Sequence, residues 1–125
     1  MSSSTTNMAV NQKVEPFSVG ARSWLAERSG VDASLIAPAL AGGFADSRPL
    51  QILAPQMASS EFEPIKWHVR TLLKDLDTAV QLSREEGSAT PMTGLAAQLM
   101  RLHGSQGHLE QDPATLVKMY REQDR

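Results

Sequence analysis

Trp67, Arg70 and Lys74 stand three and four positions apart in the stretch WHVRTLLKDLDTAVQLSREEG. On a helix those spacings gather side chains into one patch. A positive charge beside an aromatic plane suits a carboxylate, a phosphate or a nucleotide ring. The same pattern equally suits a helix face packed on another subunit, with Trp67 as its anchor. Spacing alone favours neither. The neighbouring carboxylates Asp75 and Asp77 are two apart and do not face each other, so a solvated helix surface accounts for them.

Other chemistries find little support. The histidines His68, His103 and His108 have no spacing that puts two on one helical face as metal ligands, and no metal site is expected. No Ser/His/Asp order and no G-x-S-x-G elbow is present. The glycines form neither G-x-G-x-x-G nor a P-loop, so this stretch of chain does not cradle phosphates with a glycine loop. With no cysteine, disulfides and thiol chemistry are excluded. Twelve basic and fourteen acidic side chains leave a formal charge of −2, which gives no electrostatic drive toward nucleic acid or acidic lipid. Apolar runs fall far short of the ~20 residues that span a bilayer. The opening MSSSTTNMAV has neither the basic nor the apolar region of a secretory signal, so a soluble cytoplasmic protein is expected.

The elements that must position these residues read as helices. Residues 1–10 are expected to be a frayed start, followed by a single domain over 11–125. A first helix is expected to begin near Pro16, or to follow an earlier turn over Asn11 to Glu15 kinked at that proline, with Phe17, Gly20, Ala21, Trp24, Leu25 and Arg28 on one face, and to stop at Gly30. Asp32 caps a second segment, which Pro38 shortens. Residues 44–60 carry two prolines and predict a short helix over Leu50 to Ala54 or none. The central helix is expected to carry Trp67 and to run to Gly87, with Ile65, Val69, Leu72, Leu73, Leu76, Ala79 and Val80 as its apolar stripe. Thr90-Pro91 opens the next helix, whose face is Met92, Leu95, Ala96, Leu99, Leu102 and His103. Asp112-Pro113 opens a last one that turns Leu116, Val117 and Tyr120 to the core. No alternating β-branched run occurs, so the class is all-α, a single domain of about five helices.

In this order the motifs resemble the C-terminal helical domain of the β-hydroxyacid dehydrogenases, which include 3-hydroxyisobutyrate dehydrogenase and 2-hydroxy-3-oxopropionate reductase. Lys74-Asp75-Leu76 with Ala79 matches that family's K-D-L-x-x-A helix. Gly87, then Pro91, Ala96, Gln98 and Leu99, then Gly104 to Gly107 and Asp112 follow in register. Upstream, Gly42 to Arg48 and Pro55-Gln56-Met57 are similar to its G-G-x-A-x-S and G-P-x-M stretches.

The resemblance implies a fold like the 6-phosphogluconate dehydrogenase C-terminal domain and a cleft shared with a Rossmann domain that binds NAD or NADP. It implies Lys74 as a cofactor contact, with Trp67, Asp75 and Asn11 on the substrate side, and so tips the Trp67–Lys74 face toward a ligand. Two departures stand out. The Rossmann domain is not in this sequence, and Met8 occupies the place of the family's catalytic lysine. A thioether has no proton to give a carbonyl. No catalytic residue is therefore assigned, and hydride transfer by this chain alone is not expected. The expected partners are a nicotinamide dinucleotide and a small hydroxy acid in a full-length relative, with a homodimer or a Rossmann-bearing chain as protein partner. The rival expectation is a non-catalytic interaction module, with Trp24, Trp67, Ile52 and Leu53 left exposed.

Overall fold

The computed structural model describes residues 3–122, with side chains described from Lys13 onward. Among the described residues every regular element is helical. Six α-helices form the domain: α1 (Ser3–Arg28), α2 (Ile36–Leu40), α3 (Arg48–Ser59), α4 (Val69–Glu85), α5 (Pro91–His103) and α6 (Val117–Arg121). Short 3-10 turns at Ala33–Leu35 and Pro113–Leu116 precede α2 and α6, and a π-type turn, Gly104–His108, extends α5. α1 packs along α3 and α6, while α4 and α5 form a hairpin across the short link 86–90. Leu50, Leu53, Met57, Leu72, Leu76, Met100 and Leu116 fill the core where the two groups meet.

Several boundaries differ from the sequence expectation. α1 begins at Ser3 rather than near Pro16, so helix occupies residues 3–10 and passes through the proline. An internal proline removes one backbone hydrogen bond and costs about 3 kcal/mol. Here Pro16, Phe17, Val19, Gly20 and Ser23 are all buried, and that packing holds the helix together. The buried face includes Val19 and Ser23, while Ala21, Leu25 and Arg28 of the expected face are exposed. Gly20 marks the closest approach, since a Cβ there would meet Tyr120 Cε2 at 2.8 Å.

The segment expected to be a short helix or none is the twelve-residue α3. Ser47 caps it by accepting from the Leu50 amide, and Leu50, Leu53, Ala54 and Met57 repeat at helical spacing into the core. Pro55 sits inside without ending it. Ser60, at φ 56°, closes it. Leu53 is fully buried, and Ile52, Trp24 and Trp67 are half-buried, so none of the four is left bare.

α4 begins at Val69, after an irregular segment 61–68 that contains a cis Glu63–Pro64 bond. Trp67 and Ile65 therefore lie ahead of the helix and not on it. The core stripe of α4 is Val69, Leu72 and Leu76, with Leu73 and Val80 packed beside it. α5 is rotated from its expected face. Thr93, Ala96, Ala97, Met100 and His103 are buried, while Met92, Leu95 and Leu102 are 66%, 52% and 49% exposed. Small residues at 96 and 97 let α5 lie close on α4, and the larger side chains are left outside. No helix of the described residues is long and apolar enough to cross a membrane.

Candidate functional site

The first turn of α4 is held from outside the helix. Helix starts leave amide N–H groups without intrahelical partners, and His68, the capping residue, makes no side-chain bond here. Instead the Val69 and Arg70 amides donate to the carbonyls of Gln111 and Leu109, each at 2.9 Å. Asp112, wholly buried, accepts from the Lys66 amide with one carboxylate oxygen and from the Ala114 amide with the other. The connection between α5 and α6 thus grips the segment that delivers Trp67 and α4.

Behind that grip lies a buried histidine. The Thr115 hydroxyl donates to the Asp112 carbonyl at 2.8 Å, so it accepts from His103 Nε2, also at 2.8 Å. His103 stacks on His108, with ring centroids 4.1 Å apart and planes 11° from parallel. Burial, with the neighbouring positive charges of His108 and Lys118, pushes its pKa down to about 4. A neutral imidazole locked to a hydroxyl is a packing element. Among the described residues no group of His, Asp or Glu could hold a metal ion.

The expected Trp67–Arg70–Lys74 patch does not form as one cationic surface. Arg70 Nε and Nη2 donate to the two oxygens of Glu110 at 2.8 and 3.2 Å. That pairing holds the Glu110 carboxyl below its ordinary value and raises the guanidinium. Lys74 is exposed and has no ion pair among the described residues. Asn11 lies in α1, and its side chain is outside the described residues, as is that of Met8.

What the structure does bring together is Trp67, Asp75 and Lys13. Lys13 Nζ lies 3.4 Å from Asp75 Oδ2 and 5.6 Å from the centroid of the Trp67 ring. The Trp67 Nε1–H is buried and has no hydrogen-bond partner among the described residues. Sequence reasoning missed Lys13. The signal for it was faint but present, because Lys13, Pro16, Gly20 and Ser23 run along one side of α1 at spacings of three and four. The last three are buried, and Lys13 continues their line with a side chain only 20% exposed.

Two surface clefts lie elsewhere. One, of about 470 Å³, is lined by Glu61, Phe62, Glu63, Ile65, Gln111, Thr115 and Lys118. The other, of about 670 Å³, lies between α4 and α5 beside Asp77, Arg84, Gln98 and Arg101. Neither takes in Trp67, Lys74 or Asp75.

The fold has close counterparts among solved structures. A 3-hydroxyisobutyrate dehydrogenase from Salmonella typhimurium superposes with a TM-score of 0.84 at 14% identity, over 94% of this chain and 41% of its own. The Mycobacterium tuberculosis 3-hydroxyisobutyrate dehydrogenase, in a structure with L-serine, gives 0.81 at 17% identity, over 94% of this chain and 42% of its own. The chain thus spans about two fifths of the length of each. At such identities the likeness establishes the fold. The sequence itself matches, over residues 18–120, the family described as the NAD-binding domain of NADP-dependent 3-hydroxyisobutyrate dehydrogenase. With most of its length matched, the chain belongs to that family.

Proposed function

We propose that this domain forms one wall of a cleft in which NAD or NADP meets a small 3-hydroxy acid. Lys74 faces the cofactor in this reading, and Trp67, Asp75 and Asn11 lie on the substrate side. The observation that carries it is the match of residues 18–120 to the NAD-binding family, and the state of the cations is consistent with it. Arg70 and Lys13 are paired with Glu110 and Asp75, whereas Lys74 stands exposed with no carboxylate paired to it among the described residues. An unpaired ammonium keeps its attraction for an anion, and the phosphates of a dinucleotide fit that charge. When bound, the nicotinamide supplies the hydride chemistry. The rest of the dinucleotide needs a Rossmann domain, joined to this one or carried on another chain, because that fold is built on a parallel sheet and the described residues contain no strand. The protein is proposed to act in the cytoplasm, as a homodimer or paired with a Rossmann-bearing chain.

The 125-residue chain by itself should then bind NADH weakly and turn nothing over. Purified protein is expected to oxidise NADH or NADPH no faster than a buffer blank with tartronate semialdehyde or methylmalonate semialdehyde. NADH affinity should fall several-fold in Lys74→Ala. Turnover well above the blank, abolished by Lys74→Ala, would show a complete enzyme and sink the one-wall reading.

A second reading, a helical pairing module, draws on the exposed line of Met92, Leu95 and Leu102 on α5 and on the fully exposed Phe44. Size-exclusion chromatography with and without NADH separates the two. A dimer indifferent to NADH supports the module, and a monomer that binds NADH supports the cleft wall.

A further inference from the structure

The cleft of about 470 Å³ beside the 61–68 loop is lined by charges of both signs that do not meet. Glu61 and Glu63 line it, and neither has an ion pair among the described residues. Lys118 of α6 lines it too, with its Nζ 4.8 Å from the centroid of the Phe62 ring, and it pairs with no carboxylate among the described residues. Phe62 and Ile65 supply apolar surface. Gln111 adds a polar edge. Its Oε1 accepts from His108 Nδ1 at 2.6 Å, and its NH2 group has no partner among the described residues. The cleft shares no residue with the proposed cofactor wall, since Trp67, Lys74 and Asp75 lie outside it.

We infer that this cleft binds a small zwitterion, a free α-amino acid with an apolar side chain. Charge decides the class. A simple carboxylate gains Lys118 but is repelled by Glu61 and Glu63, and a simple amine gains the glutamates but is repelled by Lys118. A molecule carrying both groups satisfies both ends. Its carboxylate accepts from Lys118 Nζ and the Gln111 NH2 group, and its ammonium donates to Glu61 or Glu63. Its side chain covers Phe62 and Ile65, the latter 41% exposed. The contact with the Phe62 ring orients the Lys118 ammonium in advance, so less side-chain freedom is lost on binding. The volume falls within the roughly 300–1,000 Å³ of small-molecule sites.

The test is a set of NMR titrations of the 125-residue chain, read at the backbone amides of Glu61, Phe62, Glu63 and Ile65 and at the Gln111 side-chain NH2. The probes are L-leucine, leucinamide, which lacks the carboxylate, and 4-methylpentanoate, which lacks the ammonium. Wild type is expected to bind leucine with a Kd on the order of 1 mM. Each one-charge analogue should bind about tenfold more weakly, the worth of one hydrogen bond to a charged group. Lys118→Met keeps an apolar stem for the Phe62 ring and should make leucine and leucinamide equal. Should that variant not fold, the doubly substituted Glu61→Gln, Glu63→Gln chain decides, because both positions are exposed. It should make leucine and 4-methylpentanoate equal. A cleft whose glutamates are merely solvated, with Lys118 only covering Phe62, would show no leucine shifts at these groups, and that result overturns the assignment. So does a one-charge analogue that binds wild type as tightly as leucine, or a preference left intact in the variant that removes its partner. NADH affinity should be the same in wild type and both variants, so the cofactor wall stands or falls separately.

Discussion

Two polar clusters meet the segment that leads into α4, and they differ in what completes them. In the connection between α5 and α6, Asp112, Thr115 and His103 are buried and bond to one another or to backbone. His103 Nδ1 is the one atom of that group with no partner. At the other cluster, Lys13 and Asp75 are partly exposed, the Trp67 N–H has no partner among the described residues, and the charge next along the chain, Lys74, is unpaired. The first is closed within the chain, as polar groups are when their work is to hold a fold. The second is not completed by partners among the described residues. Substitutions in the first should therefore be felt in stability and those in the second in binding.

The largest break in that contrast is expected from Asp112→Ala. It removes the acceptors of the Lys66 and Ala114 amides at once in a wholly buried place. Two bonds to a buried carboxylate, one part-buried and one a buried capping bond, are worth on the order of 3 kcal/mol together. A thermal melt should show a fall of roughly 10 °C for a domain of this size. A shift within a degree or two would mean that the connection does not grip the segment ahead of α4.

That grip is also the part of the fold least legible in the sequence. The caps at Asp32, Ser47 and Asp112 all use a side chain two or three residues from the amide it receives, and such local chemistry shows in the residue order. The start of α4 does not. Its first amides bond to the carbonyls of residues 109 and 111, about forty positions away, and carbonyls are the same in every residue. Trp67 therefore looks helical by spacing and lies in a loop. α5 was misread for a related reason. Its large side chains suggested the core, whereas the close approach to α4 needs Ala96 and Ala97. Lys74 and Asp75 stand in a K-D-L motif that shows in the residue order, and their role at a site is a proposal. The place of Lys13 does not show there, since its partners come from two other segments.

Acid should sharpen the same contrast, with a smaller effect. His103 is neutral when folded, with its pKa pushed down to about 4 from 6.5. The unfolded chain binds a proton that the folded one refuses. This contribution is fully present above about 6.5 and is lost as pH falls through about 4. It is on the order of 2 kcal/mol once some water access is allowed. Urea melts of wild type at pH 7 and pH 4.5 should differ by more than those of His103→Gln, which keeps a donor toward Thr115 and does not titrate. Equal pH dependence in the two proteins would place the acid sensitivity elsewhere.

The smallest effect on stability is expected from Lys74→Ala, and its smallness is what makes it informative. The side chain is exposed, pairs with no carboxylate among the described residues, and sits inside α4 where alanine is an even better helix former. Its loss should leave the melting temperature unchanged or raise it by a degree or two, within about 0.5 kcal/mol. A lysine that held the fold would lower it. If the melt is unchanged while NADH affinity drops, the residue contributes nothing inside this chain and something outside it. That separation of stability from binding is what a wall built to face another domain requires, and no rearrangement of the buried His103 cluster could mimic it. A drop in both would return Lys74 to the closed, fold-holding class and remove the distinction between the two clusters.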